Sequence, residues 1–245
     1  MKWKVCALTA LSAILLAGGA GAYDMNQVAA KALPKSYVYQ DIAGESKISF
    51  MGQDIPYQMG QLQITLKKQQ RFASGYIIRG ELPVAMADLI KPYFKMNRDQ
   101  EVWHKLTLMN RALLDPSSRL RKGIEETMLS LAENSLGSVA RSAVTVEISD
   151  VEPFRRLTGD EAYVYTAGGV ISYNAEGMML PMYCRTYFFP GDSSLKVMML
   201  FTPDEGKALL MYAIDDLAME AARQELVGSS GYKDLGTLLT DNTVK

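Results

Sequence analysis

The chain has 245 residues, of which 48% are hydrophobic and 22% charged, and its formal net charge is -1 at pH 7. Such a composition belongs to a globular protein and excludes a disordered one, and the length fits one domain or at most two small ones. The near-neutral balance offers no electrostatic basis for binding nucleic acid or an anionic membrane surface.

Residues 1–22 read as a secretory signal peptide. Lys2 and Lys4 make a short positive segment, Val5 to Ala17 an apolar one, and Ala20-Gly21-Ala22 a small-residue cleavage site. Cleavage after Ala22 would start the mature chain at Tyr23. The competing reading is a retained anchor, since Val5–Ala22 approaches the ~18-residue lower limit of a spanning helix. The Gly/Ala-rich end favours removal. Cys6 precedes the apolar segment and is poorly placed for lipid attachment. Once it leaves, Cys184 is the sole cysteine, so the mature chain has no intrachain disulfide. Export without disulfides points to a bacterial periplasmic or extracellular setting. No second long apolar run follows residue 22, which predicts no stable membrane span after cleavage.

Residues 23–245 read as a single α+β domain. Met25 to Leu33 predicts a short helix stopped by Pro34. Strand patterns follow at Tyr37–Gln40, Lys47–Met51 and Gln61–Lys67, the last with Leu62, Ile64 and Leu66 on one face. Gly75–Arg79 adds a strand paired back on the previous one. Three helices are expected next: Pro83 to about Ile90, Asp99–Leu114, and Pro116–Glu133 with Asp115 as its cap. Val144–Asp150, Ala162–Tyr173, Met179–Phe189 and Leu195–Phe201 then read as an antiparallel meander. Leu195, Val197, Met199 and Phe201 alternate with Lys196, Met198 and Leu200, so this last strand is apolar on nearly both faces. It should be central or covered by helices.

A helix from Pro203 closes the block. Thr202-Pro203-Asp204-Glu205 has the form of a capping box, with proline at the first helical position. Leu210, Ile214, Leu217, Ala218 and Ala221 give its apolar stripe, while Asp215, Asp216, Glu220 and Arg223 should face solvent. Gly228 is the expected stop, and the tail beyond it should be loosely held. The predicted fold is therefore an antiparallel β-sheet (meander) with helices packed on one or both faces. This order of elements resembles that of PsbP-like domains, an antiparallel sheet with flanking helices, and the resemblance implies a fold without an activity.

Reactive chemistry finds little support. A thiolate–imidazole pair would need Cys184 and the single histidine, His104, but Cys184 lies mid-strand, where Arg185 points to the opposite face. No G-x-S-x-G elbow occurs. One histidine and one mature cysteine cannot assemble the usual zinc sets, and no calcium-loop pattern appears. Glu125-Glu126, Asp160-Glu161 and Asp215-Asp216 are adjacent pairs that a helix would splay about 100° apart. Gly168-Gly169 suggests a bulge or tight bend, and no helix follows it to hold a phosphate. No catalytic or metal-binding residue and no cofactor is therefore assigned.

One candidate binding face remains. Alternation places Tyr183, Arg185 and Tyr187 together, two rings flanking a guanidinium, able either to grip a planar ligand or to pair across strands. Met178, Met179, Met182, Met198, Met199 and Met211 could fill the core or line an adaptable apolar groove. The sequence thus predicts an exported, non-catalytic envelope protein that binds an apolar or aromatic ligand or a partner protein. Its alternatives are a hydrolase with carboxylates assembled from distant loops, and an assembly subunit of an envelope complex.

Overall fold

The computed structural model describes residues 24–50, 53–82, 111–136, 144–159, 162–175, 177–190 and 195–227. The expected signal peptide, the helices expected at 83–90 and over most of 99–114, His104, Gly228 and the tail lie outside them. The described chain runs α1 (Met25–Ala32), β1 (Tyr37–Phe50), β2 (Gln53–Leu66), β3 (Arg71–Leu82), α2 (Arg119–Leu136), β4 (Val144–Thr158), β5 (Tyr163–Ala175), β6 (Met178–Pro190), β7 (Leu195–Pro203) and α3 (Lys207–Val227). Two meanders, β1–β3 and β4–β7, lay their last strands side by side. All pairings are antiparallel, and one sheet results in the order β1-β2-β3-β7-β6-β5-β4. The α+β architecture with helices packed on the sheet is as the sequence predicts, and β7 is the central strand. No described helix is long and apolar enough to cross a membrane.

The first face of the sheet is covered by α1 and α3. Leu62, Ile64, Ala73, Ile77, Val164, Tyr187, Met198 and Leu200 pack there against the helices. The stripe of α3 is buried throughout: Leu210, Ile214, Leu217, Ala218 and Ala221. Asp24 caps α1 by accepting the Asn26 N–H at 2.9 Å, and Pro34 lies just beyond the helix. The solvated flank expected on α3 is only partly so. Its Glu220 side chain is 4% exposed, held by Lys31 of α1 at 2.6 Å and Arg223 at 3.0 Å. Burial pushes the Glu220 carboxyl up, but hydrogen bonds from Lys31, Gln224 and Arg223 outweigh it and hold the pKa below the ordinary value. Sequence periodicity could not anticipate this, because the partner comes from a helix 189 residues away.

The start of α3 corrects the capping box. Pro203 ends β7, residues Asp204–Gly206 form a single 3-10 turn, and the α-helix begins at Lys207. Thr202 stays in the strand, where its hydroxyl donates to the Ser74 carbonyl at 3.0 Å and ties β7 to β3. Its orphan role as a helix cap is lost to a strand-to-strand bond.

On the second face α2 crosses the sheet. Ile124 and Met128 pack with Tyr57, Met59, Ile78, Ile148, Ile171, Met182, Cys184 and Phe201, and Leu120 adjoins a group built on Phe154, Tyr165, Phe188 and Leu195. Phe154 and Tyr165 stack at 5.6 Å. The cap of α2 is Ser118, whose hydroxyl accepts the Arg121 N–H at 3.1 Å. Asp115, expected in that role, instead closes the preceding turn by accepting the Ser117 N–H at 2.9 Å. That bond and the Ser117 hydroxyl hold its carboxyl below the usual range.

Both outer strands are interrupted. The β1 register shifts between Ile42 and Glu45, where Gly44 has φ 121°. In β4 it shifts twice around Glu152, with Asp150 at φ 47°. The irregularity expected at Gly168-Gly169 therefore lies in the facing strand. A Cβ on Gly168 would stand 2.7 Å from Glu152 Oε2, and one on Gly169 would stand 3.2 Å from the Ser149 carbonyl. Two glycines in β5 let the bulged β4 come close.

Candidate functional site

Strand β6 divides the two candidate sites, because alternate residues serve opposite faces. Tyr183, Arg185 and Tyr187 do come together, on the face beneath α3. They are fully buried, Arg185 at 1% exposure and both tyrosines at 0%. The guanidinium of Arg185 lies 3.0 Å from Asp215 of α3 and 3.4 Å from Glu152 of β4. The Tyr187 hydroxyl donates to Asp215 at 2.6 Å, and the Tyr183 hydroxyl lies 3.0 Å from both Glu152 oxygens. Lys207 completes the group, 2.9 Å from Glu152 and 4.3 Å above the Tyr183 ring. Burial pushes both tyrosine hydroxyls up, so they remain neutral donors. For Arg185 burial acts downward, but Tyr187, Tyr183 and Asp215 outweigh it and keep the charge. Arg185 Nε is buried without a partner, while the other polar atoms named answer one another and join β4, β6 and α3 in one network.

Glu152, Asp215 and Lys207 escaped the sequence reading. Asp215 was expected on a solvated face, and it is instead a partner of Arg185. Glu152 and Asp215 do arrive from distant segments, as a two-carboxylate hydrolase would require. Both are bound by the same guanidinium, so neither stands free to act as acid or base.

The other side chains of β6 face a cavity of about 210 Å³ between the second face of the sheet and α2. Cys184, Thr186 and Phe188 line it from β6, Tyr57 and Ile78 from β2 and β3, Ile171 from β5, Met199 from β7, and Leu120, Ile124 and Met128 from α2. Leu113, at the end of the helix preceding α2, adds a further wall. Gly80 and Gly169 contribute floor without side chains. The lining is almost wholly apolar, and no charged side chain belongs to it among the described residues. Two of the six clustered methionines have a defined role here: Met199 lines the cavity and Met182 packs beside it, whereas Met198 fills the opposite core and Met178 and Met179 are exposed. The apolar alternation of Met182, Cys184, Thr186 and Phe188 was the available signal for this site.

Cys184 is an inert thiol in this setting. It is buried at 8% exposure, and burial pushes its pKa up to about 12, with the Thr186 hydrogen bond opposing only in part. A thiolate is therefore rare at neutral pH. In the folded protein Cys184 is expected to resist alkylation by iodoacetamide over hours and to react within minutes in denaturant. Rapid labelling of the native chain would show a thiol exposed or activated in solution.

No protein-family model and no curated protein matches the chain. Two solved structures are similar to it in layout. The solution structure of cyanobacterial PsbP (CyanoP) from Synechocystis aligns at 10% identity with a TM-score of 0.35, over 76% of this chain and 81% of that one. The crystal structure of LpqN, involved in cell envelope biogenesis of Mycobacterium tuberculosis, aligns at 12% identity with a TM-score of 0.25, over 76% and 77%. Neither protein's role is carried over to this chain.

Proposed function

We propose that the protein is an exported, non-catalytic binder that holds a small apolar ligand between its sheet and α2. The observation that carries this reading is the cavity of about 210 Å³ with an almost entirely apolar lining. An apolar cavity of about 150 Å³ stays dry and takes up benzene, so a space of this size suits one ring with a short substituent. The same strand offers its aromatic–guanidinium face only to its own carboxylates, which favours the cavity over Tyr183, Arg185 and Tyr187 as the ligand site. Two further features support a binding role over an enzymatic one. Cys184, the single reactive nucleophile among the described lining residues, is held protonated, and Glu152 and Asp215 are ion-paired on the far side of the sheet. The exported setting rests on residues 1–22 and on the single remaining cysteine.

Native mass spectrometry of the protein purified from its own envelope, against the same sample denatured, tests both parts. The expected result is a chain beginning at Tyr23 that carries a small extra mass lost on denaturation. A bare chain that also fails to take up any apolar compound would end the binding reading. A chain retaining residues 1–22 would end the reading of a cleaved, released protein.

A further inference from the structure

We infer that the cavity selects an uncharged ligand, a neutral hydrocarbon-like molecule of about one ring, and rejects its carboxylate and ammonium analogues. This rests on the proposed function and narrows it to a ligand class. The reason is the lack of any partner for charge. Among the described lining residues only Tyr57, Thr127 and Thr186 carry a side-chain oxygen. The Thr127 hydroxyl donates to the Gly123 carbonyl at 2.7 Å, so its proton is already committed. Thr186 is hydrogen-bonded to Cys184, whose thiol burial keeps protonated and uncharged. Among the described lining residues there is no lysine or arginine to receive a carboxylate, and no aspartate or glutamate to receive an ammonium.

Charged residues that neighbour the lining in sequence are engaged elsewhere: Arg121, which follows Leu120 on α2, pairs with Glu125 at 2.8 Å. Arg185 stands between Cys184 and Thr186 in β6 but points beneath α3, where Asp215 and Glu152 hold it at 3.0 and 3.4 Å. Glu152 follows Val151, a lining residue, yet its carboxylate is taken by Lys207 at 2.9 Å. An ion held against this lining would give up part of its hydration and find no counter-ion among the described lining residues, a cost that a neutral molecule of the same shape does not meet. The Arg185 network thus has a second effect: it keeps Arg185 of β6 and Glu152 of β4 on the side away from the ligand.

The test is a matched set of probes, ethylbenzene, phenylacetate and phenethylamine, titrated into the mature protein at neutral pH and followed by ligand-observed NMR. Ethylbenzene is expected to bind, and the two ions to bind on the order of a hundredfold more weakly or not at all. Ala167→Leu, which adds apolar volume to a lining position, is expected to abolish ethylbenzene binding while leaving the circular dichroism and unfolding midpoint close to the parent's. Val197→Leu makes the same test from β7 if the first variant does not fold. Comparable affinity for all three probes, lost together in the filled variant, would overturn the selection for neutrality while leaving the ligand site standing. Failure of ethylbenzene itself to bind, or binding unaffected by either filled variant, would overturn the proposed site and this inference with it.

Discussion

Replacing Arg185 with methionine is expected to lower the stability of the folded protein by about 3 kcal/mol, the lower part of the range for breaking a buried ion pair. The guanidinium is 1% exposed and serves two carboxylates, Glu152 at 3.4 Å and Asp215 at 3.0 Å. Methionine fills the volume, so the cost is electrostatic: both carboxylates remain under α3 with less to neutralise them. The loss is held to the lower end because Lys207 still reaches Glu152, and the Tyr187 hydroxyl still donates to Asp215. Adding Glu152→Gln and Asp215→Asn to Arg185→Met is expected to recover much of the stability, since neutral amides need no counter-ion. Urea unfolding of the single and triple variants gives both numbers. A single variant within ~0.5 kcal/mol of the parent, the scatter of ordinary surface substitutions, would show that the network does not hold α3 to the sheet.

Leu217→Ala is expected to cost about 3 kcal/mol, within the range for truncating a buried leucine. Leu217 is fully buried in the core formed by α3, α1 and the first face of the sheet. Neighbours Ile214, Ala218 and Ala221 are equally enclosed, so the site has little freedom to collapse and a cavity term adds to the transfer term. Because the cavity lies across the sheet, affinity for an apolar ligand should be almost unchanged in the folded variant. Denaturant titration and ligand titration on the same sample separate the two effects. A small stability loss with a large affinity loss would mean that the two faces are not independent.

The regular elements were legible because each rests on a local rule. The stripe of α3 follows from helical spacing, and Leu62 and Ile64 follow from strand alternation. The doubly apolar pattern of Leu195–Phe201 located the central strand, because only an enclosed strand can afford apolar groups on both faces. What local rules could not give was pairing at a distance. The strand patterns at Tyr37–Gln40 and Lys47–Met51, the second as far as Phe50, belong to one long β1, since the ladder with β2 carries the chain through a stretch of weak pattern. Asp215 and Glu220 looked solvated because the residues that neutralise them come from β6 and α1. Thr202 looked like a cap because its competing acceptor, the Ser74 carbonyl, belongs to a strand far earlier in the chain. The candidate site divides in the same way. Alternation correctly grouped Tyr183, Arg185 and Tyr187, but which face of β6 would be roofed by α3 and which would enclose a cavity is a property of the assembled layers.

The interruptions in β1 and β4 bear on how the protein behaves at high concentration. These two strands, 14 and 15 residues long, are the margins of the sheet. A long, regular margin would be a template on which further chains could add without limit. Here the shift between Ile42 and Glu45 and the paired shifts around Glu152 divide each margin into short runs that cannot be matched continuously by one incoming strand. The same bulge that brings Glu152 over Gly168 therefore guards against fibre growth, so a change made to regularise β4 would weaken the internal network and expose a polymerising edge together.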